Sequence, residues 1–562
     1  MINDPNNAVP ASVSAPFLHS THGQCRLRVG VLCDGPRLPR YLRGVLDDLQ
    51  RADFVDLVIV AHVNYQLVAE GLVKESLAMR LLSAPLEARF RHNANPLELV
   101  PFGDLLLNVA RMECVAANVG RCIQISEADC ARLRLTKLDV VLNFCARPTA
   151  AVSKDVAAQG IWYFHFGDSR LYPDGSGFLR ELVDGSPLSG IELVRQLGTN
   201  GQVSILSRAL FSTTPFPSRL VNRFAPIWGG RHFVIQNLWE LSEKGHLAPL
   251  PELAAPDGQM VSTRKPGSGE VLWWLAGEVA RRFWRSRLTS AGALKWRIGL
   301  RQSEMPLFEE DGEAAMRSFK WLDAPLGHYW ADPVLSKIGD DLWLFFEHMI
   351  ESDGIAQISC GRVTSTGELI DIRTVLRRPH HLSYPQIIAA EGEVYMLPEA
   401  AQSGGLDLYR ARAFPDDWVL EARLLDFRCV DTSIFESAGA WWMVTSPRVA
   451  PGHAPITWLM RADRLIGPWY YCPGGIVSSS ASSARGAGAV FAFQNRLIRP
   501  SQDCSRRYGE ALVFSAINSL APGGYRETSF RRIEGSGLPN LIGVHSYSRV
   551  NDWEVIDGGF TS

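Results

Sequence analysis

Several familiar sequence features are missing from this chain. Its ten cysteines are scattered, with no Cys-x-x-Cys pair and no His/Cys cluster at zinc spacing. That excludes a local zinc module and points to free thiols in a reducing compartment. No apolar run reaches the ~18 residues of a membrane-spanning helix. Met1 to Ser20 is rich in Asn, Pro, Ala and Ser and lacks both a charged n-region and an apolar h-region; it reads as a disordered tail rather than a signal peptide. Charge of one sign is not in excess either, because 57 basic residues face 59 acidic ones and no long basic run occurs. A nucleic-acid partner is therefore not expected. These absences describe a cytoplasmic protein with no metal site in view.

The rest is ordinary globular composition, 46% apolar and 21% charged over 562 residues, too long for one hydrophobic core. The most informative stretch is a hairpin phrase that occurs three times. It runs Trp330-Ala331-Asp332-Pro333-Val334-Leu335, a turn at Gly339-Asp340-Asp341, and Leu342 to Glu347. It recurs from Ser383-Tyr384-Pro385 to Glu399 and from Val430-Asp431-Thr432 to Val444, with the polar residue of the first strand in register each time. A repeat of some fifty residues built of short aromatic strands signals a propeller. A fourth unit is read through Ala487–Phe493, Arg496–Cys504 and Tyr508–Phe514, and a shortened fifth through Ile542–Ser548 and Trp553–Gly558. A strand near Leu294–Arg301 would close the ring. The funnel residues are then Asp332, Tyr384, Asp431, Gln502 or Asp503, and His545, with Glu347 and Glu399 at the ends of second strands.

Upstream the pattern changes to strand, loop, helix. Leu27–Cys33, Val55–Ala61 and Leu138–Phe144 are near-continuous apolar runs of the kind buried in a parallel sheet. Asp34-Gly35 is read as a plain βα turn, with phosphate binding at a helix start the less favoured reading. Helices are expected over Pro39–Leu49 and Thr149–Gln159. The strand Gly160–Asp168 ends on His165 and Asp168, where an open parallel sheet places its ligands. Residues 246–292 form a linker and a connecting helix over 271–288, whose interleaved aromatics and arginines leave peripheral membrane contact open beside plain packing.

The segment from Leu138 through Gly-x-x-x-x-His165 to Asp184–Leu193 resembles the catalytic domain of folate-dependent formyltransferases. The resemblance implies that His165 sits near a formyl carbonyl, with 10-formyltetrahydrofolate as donor and an amino sugar as acceptor. The family's Asn falls on Tyr163 and its Asp on Thr199 or Asn200, so two of its three catalytic groups are replaced. A Tyr donates one hydrogen bond but cannot copy the paired donor and acceptor of an amide. Asp168 is the nearest carboxylate to stand in; His165 as a satisfied structural histidine and Asp168 as a turn cap remain the alternatives.

The repeat region resembles the five-bladed propellers of furanosidase-type glycoside hydrolases of the family 43 kind. That implies Asp332 and Asp431 as the two catalytic aspartates, and Glu399 as the acid. As a set, Ser-Tyr-Pro, Val-Asp-Thr-Ser, Arg-Pro-Ser-Gln-Asp-Cys and Val-His-Ser-Tyr resemble the N-terminal region of plant glucosamine inositolphosphorylceramide transferases and their bacterial relatives. In the plant proteins a glycosyltransferase domain follows, so glycosyl transfer is not carried over. The fold expected is an α/β, formyltransferase-like domain on a parallel sheet (26–245) after the tail (1–25), then an all-β five-bladed propeller (293–562). The function expected is a carbohydrate-modifying transferase in polysaccharide or glycolipid biosynthesis. A funnel glycoside hydrolase or transglycosylase and a non-catalytic glycan-binding scaffold are the alternatives.

Overall fold

The computed structural model describes residues 15–20, 26–65, 95–120, 122–149, 156–197, 202–213, 219–250, 262, 266–288, 295–448, 455–521, 524–535 and 538–561. The chain divides into two compact units, the first running to Gly277 and the second beginning at Glu278. The division falls inside the helix Ser268–Leu288.

The first unit is built on one eight-stranded sheet. Its order is Gln202–Ser212, Leu188–Leu197, Ile161–Phe166, Val140–Asn143, Leu27–Cys33, Val55–Asn64, Ala110–Val119, Cys122–Ile125. The five strands from Ile161–Phe166 to Ala110–Val119 run parallel. The three remaining strands join antiparallel. The sheet is thus mixed, and the expectation of a parallel sheet holds only for its middle. Leu32, Ile59, Ala61, Val141 and Ile161 are buried in one cluster, which explains why their strands read as apolar runs without alternation.

Two local expectations are corrected. Asp34-Gly35 does not open a helix: the short strand Arg37–Pro39 intervenes before helix Arg40–Arg51, and the Asp34 carboxylate accepts the Ala146 amide at 2.6 Å. Of the helix expected over Thr149–Gln159, residues 150–155 lie outside the described residues, and Ala158-Gln159 is a turn.

The second unit is a five-bladed β-propeller. Three blades are four-stranded meanders opening with His328–Ile338, Ser383–Ala390 and Cys429–Ser437, and the fourth has the strand order Phe491–Phe493, Arg496–Asp503, Ala511–Ala521, Gly524–Glu534. In the fifth, Lys295–Gln302 pairs antiparallel with Trp553–Phe560. The two ends of the propeller sequence therefore share one sheet and close the ring, which removes an open edge. Tight hairpins fit the twist of the strands they join. Glu391-Gly392, Ala438-Gly439 and Gln494-Asn495 each place two successive residues at positive φ, as such turns require. Between blades, Phe345, Ile358, Met396, Tyr409 and Trp418 form one buried cluster and Ile298, Leu344, Phe346 and Val555 another. Each fully buried side chain of this size contributes roughly 1.5–3 kcal/mol.

Candidate functional site

The first three inner strands share a feature that alternation alone does not produce. Asp332, Tyr384 and Asp431 all take positive φ, at 48°, 46° and 50°. The ladder of each strand breaks at that point, between Ala331 and Val334, Ser383 and Gln386, and Val430 and Ser433. A non-glycine residue in this region costs of order 1–3 kcal/mol and persists only where its surroundings over-determine it. Here the same strained bulge is built three times, each time at the polar residue of the repeat.

The surroundings are a network of charge and hydrogen bonds. Asp332 is 8% exposed. Its Oδ1 lies 3.1 Å from His545 Nε2, its Oδ2 accepts the Tyr384 amide at 3.2 Å, and its own amide donates to Asp557 Oδ2 at 3.0 Å. His545 Nδ1 lies 2.9 Å from Asp557 Oδ1. Burial alone would deprotonate this imidazole, but the Asp557 and Asp332 carboxylates outweigh it and raise its pKa to about 10. Burial also works against the charge on Asp332, yet His545, Arg485 and the Tyr384 amide hold its carboxyl below the usual range. Carboxylate oxygens of Asp332 and Asp557 and a ring nitrogen of His545 lie within 4.8 Å of one another, a spacing that would suit a cation. The raised pKa of His545 makes the imidazolium the positive charge between the two carboxylates.

Asp431 is held differently. Arg485 donates to its carboxylate from Nε at 2.6 Å and from Nη2 at 2.9 Å, a bidentate pair. The guanidinium of Arg485 lies over the Tyr508 ring, 4.9 Å from the centroid. The Asp431 amide donates to Glu399 Oε2 at 3.1 Å, which ties the ends of the second and third blades together. Burial, with the nearby Asp431 charge, raises the Glu399 carboxyl to about 7; Asp332 adds to the rise. Glu347 accepts from Tyr329 Oη at 3.2 Å and lies 3.2 Å from His381 Nε2. Burial and the Asp332 charge push its pKa up as well. Tyr384 Oη accepts the Gly488 amide at 2.5 Å. Its hydroxyl and the Asp431 backbone close on Gly486, where a Cβ would stand 2.7 Å from Asp431 O and 2.9 Å from Tyr384 Oη.

The structure therefore brings together Asp332, Tyr384, Asp431, Glu347, Glu399 and His545. The other two funnel candidates do not open an inner strand: Gln502 and Asp503 end the strand Arg496–Asp503. Gln502 Nε2 donates to Gly486 O at 2.7 Å, so it shapes the floor beneath Tyr384. Asp503 accepts from Ser505 and from Arg532 Nε at 2.8 Å, which directs it to its own blade. Arg485, His381, Tyr329 and Asp557 were not among the residues the sequence pointed to. Arg485 and His381 sit in connections that do not repeat, although Asp557 belongs to the Trp553–Gly558 phrase.

In the first unit, His165 and Tyr163 lie on strand Ile161–Phe166, opposite Glu192 and Val194. His165 Nε2 makes a 3.0 Å hydrogen bond to the Tyr172 carbonyl. Asp168 does not orient the histidine; its carboxylate is clasped by Arg170, from Nε at 2.9 Å and from Nη2 at 2.6 Å. Thr199 and Asn200 lie outside the described residues.

Comparison with known proteins bears on the propeller. Residues 323–534 match the family model described as glucosamine inositolphosphorylceramide transferase 1, N-terminal. The propeller is similar to the N-terminal part of that plant transferase. Glucosamine inositolphosphorylceramide transferase 1 of Oryza sativa subsp. indica is 30% identical over 317 residues, covering 51% of this chain and 42% of the rice protein. The Arabidopsis thaliana protein of the same name is 31% identical over 205 residues, covering 36% of this chain and 27% of its own. The chain thus spans less than half the length of these relatives. Among solved structures, RS223-Beta-xylosidase aligns with a TM-score of 0.32 at 12% identity, over 42% of this chain and 92% of its own. Zg3597, a family 117 glycoside hydrolase of Zobellia galactanivorans, aligns with a TM-score of 0.31 at 11% identity, over 48% of this chain and 91% of its own.

Proposed function

We propose that the propeller is a carbohydrate-modifying unit whose funnel takes a sugar or a sugar-lipid headgroup. Glu399 is the proton donor and Asp332 the standing carboxylate. One observation carries this reading: two carboxyl groups of a single network have their proton affinities pushed in opposite directions, Glu399 up to about 7 and Asp332 down. Such a separation is how one site holds an acid and an anion at the same pH. At neutral pH Glu399 keeps a proton to hand to a leaving sugar oxygen. Asp332, ionised, faces the positive charge that develops on the ring as that bond breaks. Asp431, already bound by Arg485, orients and keeps Glu399 protonated. The names of the rice and Arabidopsis relatives support a glycolipid as the class of substrate.

A second reading, glycan binding without turnover, is favoured by one detail: both carboxylate oxygens of Asp332 and of Asp431 already have partners. Formyl transfer from 10-formyltetrahydrofolate is not part of either reading, since His165 and Asp168 are engaged with Tyr172 and Arg170. Contact with a membrane surface, where a sugar-lipid would be met, is assigned to Leu272 and Trp273, which are 49% and 82% exposed. Co-sedimentation with anionic vesicles that survives Trp273→Ser would remove that assignment.

The test is a glycan array followed by furanoside and pyranoside substrates, with Asp332→Asn and Glu399→Gln compared with the unaltered chain. A loss of turnover of roughly 10²-fold or more in Glu399→Gln, the usual weight of a general acid, supports catalysis. Binding that persists in both variants with no turnover in any form supports the second reading. An array without hits removes both.

A further inference from the structure

Around the funnel the side chains divide by chemistry. The first two blades supply carboxyl groups, Glu347 beside Tyr329 and His381, and Glu399. The last two supply flat rings. His545 lies between Asp332 and Asp557, and its ring centroid is 5.1 Å from that of Tyr508, over which Arg485 passes on its way to Asp431. Next to both stands Trp296, on the closing strand Lys295–Gln302. Its ring centroid is 4.0 Å from His545 and 6.2 Å from Tyr508.

Three features of this indole bear on a ligand. It meets its neighbours obliquely, tilted 54° to His545 and at 81° to Tyr508, so neither ring lies flat on its face. It is half-buried, whereas Asp332 and Asp431 are buried; the indole therefore stands nearer to solvent than the carboxylates, one residue removed from Asp332 through His545. The backbone beside it leaves it room. Gly509 has a φ of +59°, and a Cβ there would stand 2.7 Å from His545 Cβ and 3.3 Å from Trp296 Cη2. A larger residue would push the connection 504–510 against the pair of rings, and a positive φ favours glycine in any case.

We propose that Trp296 is the stacking platform of a second sugar subsite at the mouth of the funnel, beside the ring handled by Asp332 and Glu399, and that the substrate is a glycan of at least two pyranose rings. The proposal rests on the reading of the funnel as a sugar site and adds the length and ring type of its ligand. A pyranose chair has two unlike aspects: a face of C–H bonds, which is apolar, and an edge of hydroxyls, which needs hydrogen-bond partners. An indole offers a broad apolar surface with a negative π face that suits the C–H side. The carboxyl groups of the first two blades suit the hydroxyl edge, so the two sectors together match both aspects of one ring. A site lined by aromatics with a few placed polar groups is the ordinary form of a small-molecule site. An indole also matches the area of a six-membered ring better than that of a furanose.

A glycan array carrying one-, two- and three-ring members of each series, probed with the full chain, Trp296→Ala and Trp296→Phe, tests it, with the affinities of the hits measured by titration. The unaltered chain should bind a two-ring pyranoside about tenfold more tightly than its one-ring counterpart, the weight of one good aromatic contact. Trp296→Ala should lose that gain and bind the one-ring member as before, while Trp296→Phe keeps most of it. The two-ring sugar should also shift the tryptophan emission of the unaltered chain, and that shift should vanish in Trp296→Phe, which keeps the test decidable should the alanine variant fail to fold. No gain from a second ring, a gain that survives in Trp296→Ala, or equal weakening of one- and two-ring members overturns the proposal and leaves the funnel as a sugar site. An array without hits removes the sugar site itself, and the second subsite with it.

Discussion

Replacing Glu399 by Gln should make the protein more stable at alkaline pH and leave it unchanged at acid pH. The folded structure lifts this carboxyl from 4.5 to about 7, first by burial and then by the charge of Asp431. A group whose folded pKa is raised contributes stability that is complete below its unfolded value and lost as pH rises through its folded value. At 1.36 kcal/mol for each tenfold change in proton affinity, ionising Glu399 costs the fold about 3 kcal/mol between pH 4.5 and 7. Glutamine has the same shape and no charge to lose. Thermal unfolding of the two forms, followed by tryptophan fluorescence from pH 4.5 to 8.5, reads the difference. At pH 4.5 the midpoints coincide; by pH 8 the variant melts about 6–12 °C higher, taking 2–4 °C per kcal/mol for a domain of this size. A gap independent of pH, or one that closes as pH rises, would refute the assignment of a half-buried acid held protonated by Asp431.

Three further outcomes follow from the same network. His545→Gln removes the cation between Asp332 and Asp557 and leaves two buried carboxylates facing each other, so unfolding at pH 7 should cost about 3–5 kcal/mol less in denaturant titrations; because the His545 pKa is raised to about 10, its contribution in the parent is lost only as pH climbs towards that value. Gly486→Ala places a methyl against Asp431 O and Tyr384 Oη, and glycan binding on an array should drop while the melting temperature moves by only a few degrees. Arg485→Met frees the Asp431 carboxylate beside Glu399, and the fluorescence midpoint at pH 8 should fall relative to the parent because two adjacent acids then compete for ionisation.

Much of the propeller was legible because its signals are local and repeated. Period-two aromatic strands, turn pairs such as Glu391-Gly392, and one polar residue in register mark each blade without tertiary knowledge. The convergence of Asp332, Tyr384 and Asp431 followed from that register. The positive φ they share did not: Pro333 and Pro385 mark a break in the ladder of two of the strands, but Val430-Asp431-Thr432 carries no such mark. Nor did their partners. Arg485 and His381 come from connections that differ between blades, and which carboxylate each meets depends on the closed ring. In the first unit the apolar central strands were evident, whereas the antiparallel edge Leu188–Leu197 and Gln202–Ser212 reads as ordinary alternation that fits several sheets. The pairing of Asp168 with Arg170, two residues away, shows why a carboxylate near a histidine in sequence need not serve it.

The role of Glu399 as the acid of the funnel is read most directly from the pH dependence of sugar handling. Glycan binding or turnover by the full chain, measured from pH 5 to 9, should show an inflection near 7 that vanishes in Glu399→Gln. A profile with the same inflection in both forms would contradict the claim that Glu399 is the acid of this site.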